Sequence, residues 1–247
     1  MGILFWILLA TLVNGAVGLI GIFSLFMSQR FLKKILMVLV AFSAGALLSG
    51  ALFHLLGEAL SVLDVTTVFV IFLIGFVLFF LVERFLHWHH CHDGKCEVHP
   101  FNYLVLFGDG VHNFIDGVVI AASFFVGIPF GFVTTLLIIA HEVPQELGNF
   151  GILIYGGFGK LKAVFYSFIA QLTCVLGGLI GYILSGSAKG LSAYVLPFAA
   201  GGFVYIAASD LVPELHKEPK MKKSMISFSF FVLGIVFIWL VKVFLEP

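Results

Sequence analysis

Charge is what this chain has least of. Only 11% of its 247 residues are Asp, Glu, Lys or Arg, against about 25% in soluble domains. Hydrophobic residues make up 61%, and the mean hydropathy is +1.16. This scarcity excludes a soluble globular domain and makes the chain an integral membrane protein with the lipid bilayer as its surroundings. The 13 basic and 13 acidic residues cancel, and no basic patch with interleaved aromatics stands in the sequence, so nucleic acid is excluded as a partner. Cysteine is scarce too. Cys91, Cys96 and Cys174 make an odd 3, which gives no disulfide framework. A basic n-region is missing before the first apolar run, and that run, Gly2 to Met27, exceeds the usual h-region of about 7–15 residues, so it reads as a span and not as a cleavable signal.

What is present is a succession of long apolar runs. Polar breaks divide the chain into eight candidate helices at 2–27, 34–57, 65–87, 101–126, 130–155, 162–185, 191–213 and 225–245. Each is near the roughly 20 residues a helix needs to cross a bilayer and far beyond the roughly 9–11 of a barrel strand. The expected fold class is therefore all-α, a polytopic membrane protein of eight transmembrane helices. Residues 1–247 read as one transmembrane domain with a polar loop at about 88–100. The glycines Gly177, Gly178, Gly181, Gly201 and Gly202 suit close helix packing. Basic residues are lopsided: Arg30, Lys33, Lys34, Arg84, Lys95, Lys160, Lys162, Lys217, Lys220, Lys222 and Lys223 fall on one side, and only Lys189 and Lys242 on the other. By the positive-inside rule both termini face outside or a lumen, and the 88–100 loop faces the cytosol.

Two of the apolar runs carry ionisable residues at mid-depth. In the fourth, His112 and Asp116 are i,i+4, Asn113 and Asp116 are i,i+3, and Asp109 lies one turn before His112. In the fifth, His141 and Gln145 are i,i+4, and so are Glu142 and Glu146. A central charge costs about 2.5–3.5 kcal/mol on insertion scales. Two neighbouring spans bearing that cost in the same pattern point to a ligand, and a divalent cation crossing the membrane fits best. Imidazole with carboxylate suits zinc and its first-row neighbours; an all-oxygen set would suit magnesium or calcium. Pro144, inside the fifth run, cannot bond the Ala140 carbonyl, and that freed oxygen is a further candidate ligand.

These segments resemble the ZIP (Zrt/Irt-like) metal transporters. Asp109-Gly110-Val111-His112-Asn113-Phe114-Ile115-Asp116-Gly117, running on to Ala122-Ser123-Phe124, resembles their fourth helix, and His141-Glu142-Val143-Pro144-Gln145-Glu146-Leu147-Gly148-Asn149-Phe150 their fifth. Phe53-His54-Leu55-Leu56-Gly57-Glu58 and Asp210-Leu211-Val212-Pro213-Glu214 extend the likeness to the second and seventh spans. The resemblance implies a binuclear site between helices four and five. His112, Asp116, His141 and Gln145 match its first metal position. Asn113 and Glu142 match the second, with Gln145 as a bridge; Glu146 is counted among the candidate ligands. Gln145 stands where eukaryotic members commonly have His, and Asn149 where Asp is usual. The His141-Glu142 pair resembles zinc-preferring members. The sixth span should add a ligand to the second position: gap-free counting points to Cys174, and local likeness to Gln-Leu-Thr points to Gln171.

His87, His89, His90, Cys91, His92, Cys96 and His99 crowd the loop after the third span, as in one branch of the family, and suit metal capture or sensing. His54, Glu58 and Asp64 stand at the outer side, as cation attractors or as a polar cap. Ser209, Asp210, Glu214 and His216 stand at the inner end of the seventh span, as an exit path or a helix cap.

The function expected is import of divalent transition-metal cations into the cytosol by alternating access. The transported ion is Zn²⁺ before Fe²⁺, Mn²⁺ or Cd²⁺, no further cofactor is expected, and the plasma or inner membrane is the expected location. A homodimer is one assembly the chain allows. The alternative is an intramembrane zinc-dependent hydrolase, since His141-Glu142 begins a metalloprotease signature. That signature needs a second His where Gln145 stands, so no enzyme is expected.

Overall fold

A computed structural model of the chain describes residues 2–24, 29–87, 101–155, 157–187 and 190–245. The 88–100 loop, with His89, His90, Cys91, His92, Cys96 and His99, lies outside them. Eight helical segments run through the described residues, and no strand occurs among them. We label them α1 (Ile3–Gly15), α2 (Gln29–Ser49 and onward), α3 (Val65–His87), α4 (Phe101–Val126), α5 (Ile128–Tyr155), α6 (Lys160–Gln171, then Thr173–Ser187), α7 (Leu191–Ile206 and onward) and α8 (Met221–Leu245). Helix α2 continues through a π turn, Gly50–Leu55, into Leu56–Val62. Helix α7 does the same through Ala207–Leu211 into Val212–His216. Seven segments are long and apolar enough to cross a membrane, and the shorter apolar helix Ile3–Leu19 joins them. The protein is a multi-pass, all-α integral membrane protein.

The first span departs from its expected 2–27 helix. It tightens to a 3₁₀ turn at Ala16–Leu19 and resumes only at Gly21–Ser24. The cause is close packing on its neighbours. A Cβ at Gly18 would come within 2.9 Å of Gln171 Cβ on α6, and one at Gly21 within 2.8 Å of the Phe150 ring on α5.

Glycine also sets how the long helices pair. A methyl on Gly177 of α6 would overlap the Phe114 carbonyl of α4, and one on Gly117 of α4 would overlap the Cys174 carbonyl of α6. The same reciprocal approach joins α2 to α8, through Gly45 and Gly234, and α3 to α7, through Gly75 and Gly201. Backbones can come this near only where side chains are absent.

The core between these pairs is apolar, with Ile7, Leu47, Leu55, Ile120, Phe124 and Leu196 within 1% of full burial. Helices α3 and α8 lie at the periphery: 11% and 17% of their apolar windows are buried, against 44–59% for the other long spans. Their outward Phe69, Leu73, Ile74, Phe228, Leu233 and Trp239 present an apolar surface suited to lipid. Helices α4 and α5 are enclosed, and that enclosure keeps their polar stripes from hydrocarbon.

Candidate metal centre

The α-helical repeat puts Asp109, His112, Asn113 and Asp116 on one stripe of α4 and His141, Glu142, Gln145, Glu146 and Asn149 on adjoining stripes of α5. The two stripes meet. His112 Nε2 lies 3.1 Å from His141 Nε2, 3.2 Å from Glu142 Oε1 and 3.7 Å from Asp116 Oδ2. His141 Nε2 lies 3.4 Å from Asp116 Oδ2 and 3.5 Å from Glu142 Oε1. Asp116 and Glu142 are fully buried, His141 is 1% exposed and the His112 side chain 11%.

These separations have a chemical meaning. Zinc bonds to imidazole nitrogen and carboxylate oxygen are about 2.0–2.2 Å, and a tetrahedron of such bonds has edges of roughly 3.3 Å. The five distances from the two imidazoles, 3.1 to 3.7 Å, bracket that edge. Both Asp116 oxygens and Glu142 Oε1 are buried with no hydrogen-bond partner, which is costly unless a cation or proton joins them.

The surroundings orient the donors. His141 Nδ1 lies 3.2 Å from the Leu137 carbonyl and donates to it, which leaves the Nε2 lone pair aimed at the cluster. The Gln171 side-chain amide donates to Glu142 Oε2 at 2.5 Å. Phe79 meets the His112 ring edge-on, and Phe203 lies against His141 with centroids 5.4 Å apart. These walls are apolar, so the polar atoms face one another.

A cavity of about 690 Å³ leads to this cluster. Glu214 and Lys217 stand at one end, ion-paired at 2.5 Å; Asp109, Gln145 and Asn149 line the wall, and His112 is reached from it. Toward the other end, Ile120 of α4 and Leu137 and Ile138 of α5 are fully buried and close the bundle.

The remaining candidates separate. Gln145, one turn after His141, lies on the cavity wall. Asn113 turns back along α4, its amide 3.1 Å from the Asp109 carbonyl and 3.4 Å from Asp109 Oδ1. Glu146 groups with Asp109 and Glu142. Of the two α6 residues, Gln171 reaches the cluster. Cys174 instead accepts a hydrogen bond from Asn14 Nδ2 of α1 at 3.5 Å and belongs to neither acidic cluster. The Ala140 carbonyl is no open ligand: the Ser43 hydroxyl of α2 donates to it.

His54 is fully buried in the α2 π turn, bonded to Thr134 Oγ1 at 2.8 Å and stacked on Phe130 at 3.8 Å. It is a core group and not an exposed attractor. Asp64 caps α3 by accepting from the Thr67 amide at 3.0 Å; a hydrogen bond from the Thr67 side chain, and then this amide bond, lower its pKa. Asp109, Asn149, Asn14 and Ser43 are working polar groups that spacing alone left aside or unassigned. Asn149 donates to Asp109 Oδ1 at 2.9 Å.

A family model described as ZIP Zinc transporter matches residues 89–242. The chain is similar to Zinc transporter ZIP13 of Pongo abelii, 33% identical over 226 residues, covering 84% of this chain and 67% of that protein. It is 28% identical over 278 residues to Zinc transporter zipt-7.1 of Caenorhabditis briggsae, covering 84% and 71% of the two chains. Against IAA-alanine resistance protein 1 of Arabidopsis thaliana it is 39% identical over 137 residues, 54% of this chain but only 29% of the relative.

Proposed function

The chain belongs to the ZIP zinc transporter family, and from that premise we propose that it carries divalent transition-metal ions, zinc foremost, across the membrane into the cytosol. The observation that carries this reading is the close clustering of His112, Asp116, His141 and Glu142, buried between two membrane helices. Zn²⁺ is the first choice of such a donor set, ahead of Fe²⁺, Mn²⁺ and Cd²⁺.

The path is argued from the cavity. One half of the α4–α5 interface is open to it and the other half is packed shut, as one state of an alternating-access cycle requires. The open half lies toward Lys217, the side rich in basic residues, so this state faces the cytosol and both termini face outside. The ion's work is split between residues. His112 and His141 offer neutral nitrogen, Asp116 and Glu142 offset the charge, and Gln171 holds Glu142 in place. The plasma or inner membrane is the location this import role favours.

Purified protein in zinc-loaded and zinc-free proteoliposomes tests the reading. Zinc should cross without any organic substrate, and His112→Ala or His141→Ala should abolish uptake above leak. Wild-type rates in those variants would sink the proposal. No observation favours the hydrolase alternative, because residue 145 is Gln where the signature's second zinc-ligating His is required.

A further inference from the structure

Away from the α4–α5 cluster, the corner where α5 turns into α6 holds a cation in an aromatic setting. Helix α5 ends in a Schellman turn. The Gly157 amide donates to the Ile154 carbonyl at 3.1 Å and the Phe158 amide to the Leu153 carbonyl at 3.0 Å. Gly157 has φ +90°, in the left-handed region that glycine enters freely. The turn folds Phe158 inward, where it is buried with Phe150, Leu153 and Val164. Lys162 follows four residues later. Its Nζ lies 4.3 Å from the centre of the Phe158 ring, 5.8 Å from that of Tyr166 and 6.0 Å from that of Tyr103. The three rings also meet one another, with centroids 5.5 to 6.4 Å apart, so the ammonium rests on a packed aromatic base.

Ring faces attract an ammonium but bring no negative charge to neutralise it. Nor does the chain nearby. Between Glu146 and Asp210 the sequence contains no Asp or Glu, and residues 101–108 of α4 contain none either. Among the described residues no carboxylate pairs with Lys162, whereas Lys217 and Lys223 are held by Glu214 and Glu218. Lys160 adds a second positive charge at the same corner.

The backbone and the apolar surface point to the same kind of partner. The first helical bond of α6 runs from the Ala163 amide to the Gly159 carbonyl at 2.9 Å, so the amides of Lys160, Leu161 and Lys162 precede it. Their N-cap, Gly159, has no side chain to receive them, and a Cβ there would meet nothing within 4 Å. Free amides at a helix start favour an anion, and here there is open space beside them. Next to the lysine, Leu161, Phe165 and Ile169 form an i,i+4,i+8 stripe down α6, 84%, 59% and 47% exposed. Tyr103 and Tyr166 are the amphipathic rings expected at the headgroup level, and the excess of lysine marks this as the cytosolic side.

We propose that this corner binds an anionic phospholipid of the cytosolic leaflet. The Lys162 ammonium and the first-turn amides of α6 take its phosphate, and Leu161, Phe165 and Ile169 lie along its acyl chains. The aromatic base fixes the ammonium on one side and leaves its other N–H bonds for the phosphate oxygens. A water-soluble phosphate would use only the polar half of this surface; a lipid uses both halves. Zwitterionic lipids carry a cation of their own beside the phosphate, so Lys160 and Lys162 select against them. The binding requires a membrane around the helices and does not depend on which ion the protein moves.

Native mass spectrometry of the intact, delipidated chain in detergent tests this, with dioleoylphosphatidylglycerol and dioleoylphosphatidylcholine titrated in turn. The wild type should bind phosphatidylglycerol in preference to phosphatidylcholine. Lys162→Met should weaken phosphatidylglycerol binding by about fivefold or more, the effect of one lysine at an anionic headgroup. Lys162 is exposed, so its replacement leaves the core packing as it is. Lys162→Arg keeps the charge and should keep the binding. Lys223→Met, which removes a lysine of the same side that Glu218 already holds, should leave the affinity unchanged. Wild-type affinity in Lys162→Met would overturn the proposal. Equal losses from Lys162→Met and Lys223→Met would show a diffuse basic surface and overturn it too. Inorganic phosphate at the same concentration should not displace the lipid; displacement would make this a free-anion site and overturn the lipid assignment.

Discussion

The Ser43 hydroxyl on α2 donates its hydrogen bond to the carbonyl of Ala140 on α5, the acceptor that Pro144 deprives of its helical amide. The carbonyl sits one residue before His141, so a bond between helices holds the backbone that carries the candidate metal centre.

Ser43→Ala should therefore destabilise the protein by about 1–3 kcal/mol, the cost of a buried acceptor left unpaired. In a Pro144→Ala background residue 144 regains an N–H, the Ala140 carbonyl regains its helical partner, and the same Ser43→Ala change should cost little. A double-mutant cycle on denaturant unfolding of the solubilised protein measures the coupling, expected at about 1 kcal/mol or more. Additive losses would show that Ser43 acts on some other group.

Gln171→Leu should weaken zinc binding by about 10–100-fold, as loss of an outer partner of a ligating carboxylate usually does. The Gln171 amide is the donor that holds Glu142 Oε2. Competition titration against a zinc chelator reads the affinity. Cys174→Ser at the neighbouring α6 position should leave it near wild type, because that thiol faces Asn14. Equal losses from both substitutions would refute the assignment.

The polar stripes that meet between α4 and α5 were legible in the sequence because both are regular helices, where i,i+4 spacing translates directly into shared faces. The choice between Gln171 and Cys174 was not. Helix α6 breaks at Leu172, where the Thr173 hydroxyl lies 2.6 Å from both the Gly110 and the Ala170 carbonyl, so counting along an unbroken helix loses register there. The same reason separates His54 from Glu58. A π turn at Gly50–Leu55 shifts the helix phase, burying His54 against Phe130 and leaving Glu58 half-exposed. Ser43 and Asn14 were invisible for a different reason: a lone polar residue in an apolar run has no pattern, and its partner lies on another helix.

Helix approach gives a prediction without touching any polar group. Gly177→Ala places a methyl on the Phe114 carbonyl, two residues before Asp116. Overpacking of this kind costs about 1–3 kcal/mol, and pushing α4 from α6 displaces His112 and Asp116 together. Zinc uptake should fall sharply. Gly151→Ala on the exposed α5 surface meets nothing within 4 Å and should leave uptake unchanged. Equal tolerance of both alanines would mean that the α4–α6 seam can open at no functional cost.

Gln145 is the place to test ion choice. It stands one turn after His141 on the cavity wall, close enough along the helix for a ring nitrogen at this position to join the imidazole cluster. A neutral amide oxygen binds transition ions weakly, whereas Gln145→His would add a third nitrogen donor. Zinc affinity should rise by about tenfold relative to Mn²⁺, since nitrogen donors favour the later metal in the first-row series. Turnover should fall, because an ion held by three imidazoles leaves more slowly toward the cavity. Paired proteoliposome uptake of Zn²⁺ and Mn²⁺, wild type against variant, reads both changes. A variant whose metal ratio and turnover match wild type would show that residue 145 never reaches the ion, and the cluster would then be complete with His112, Asp116, His141 and Glu142 alone.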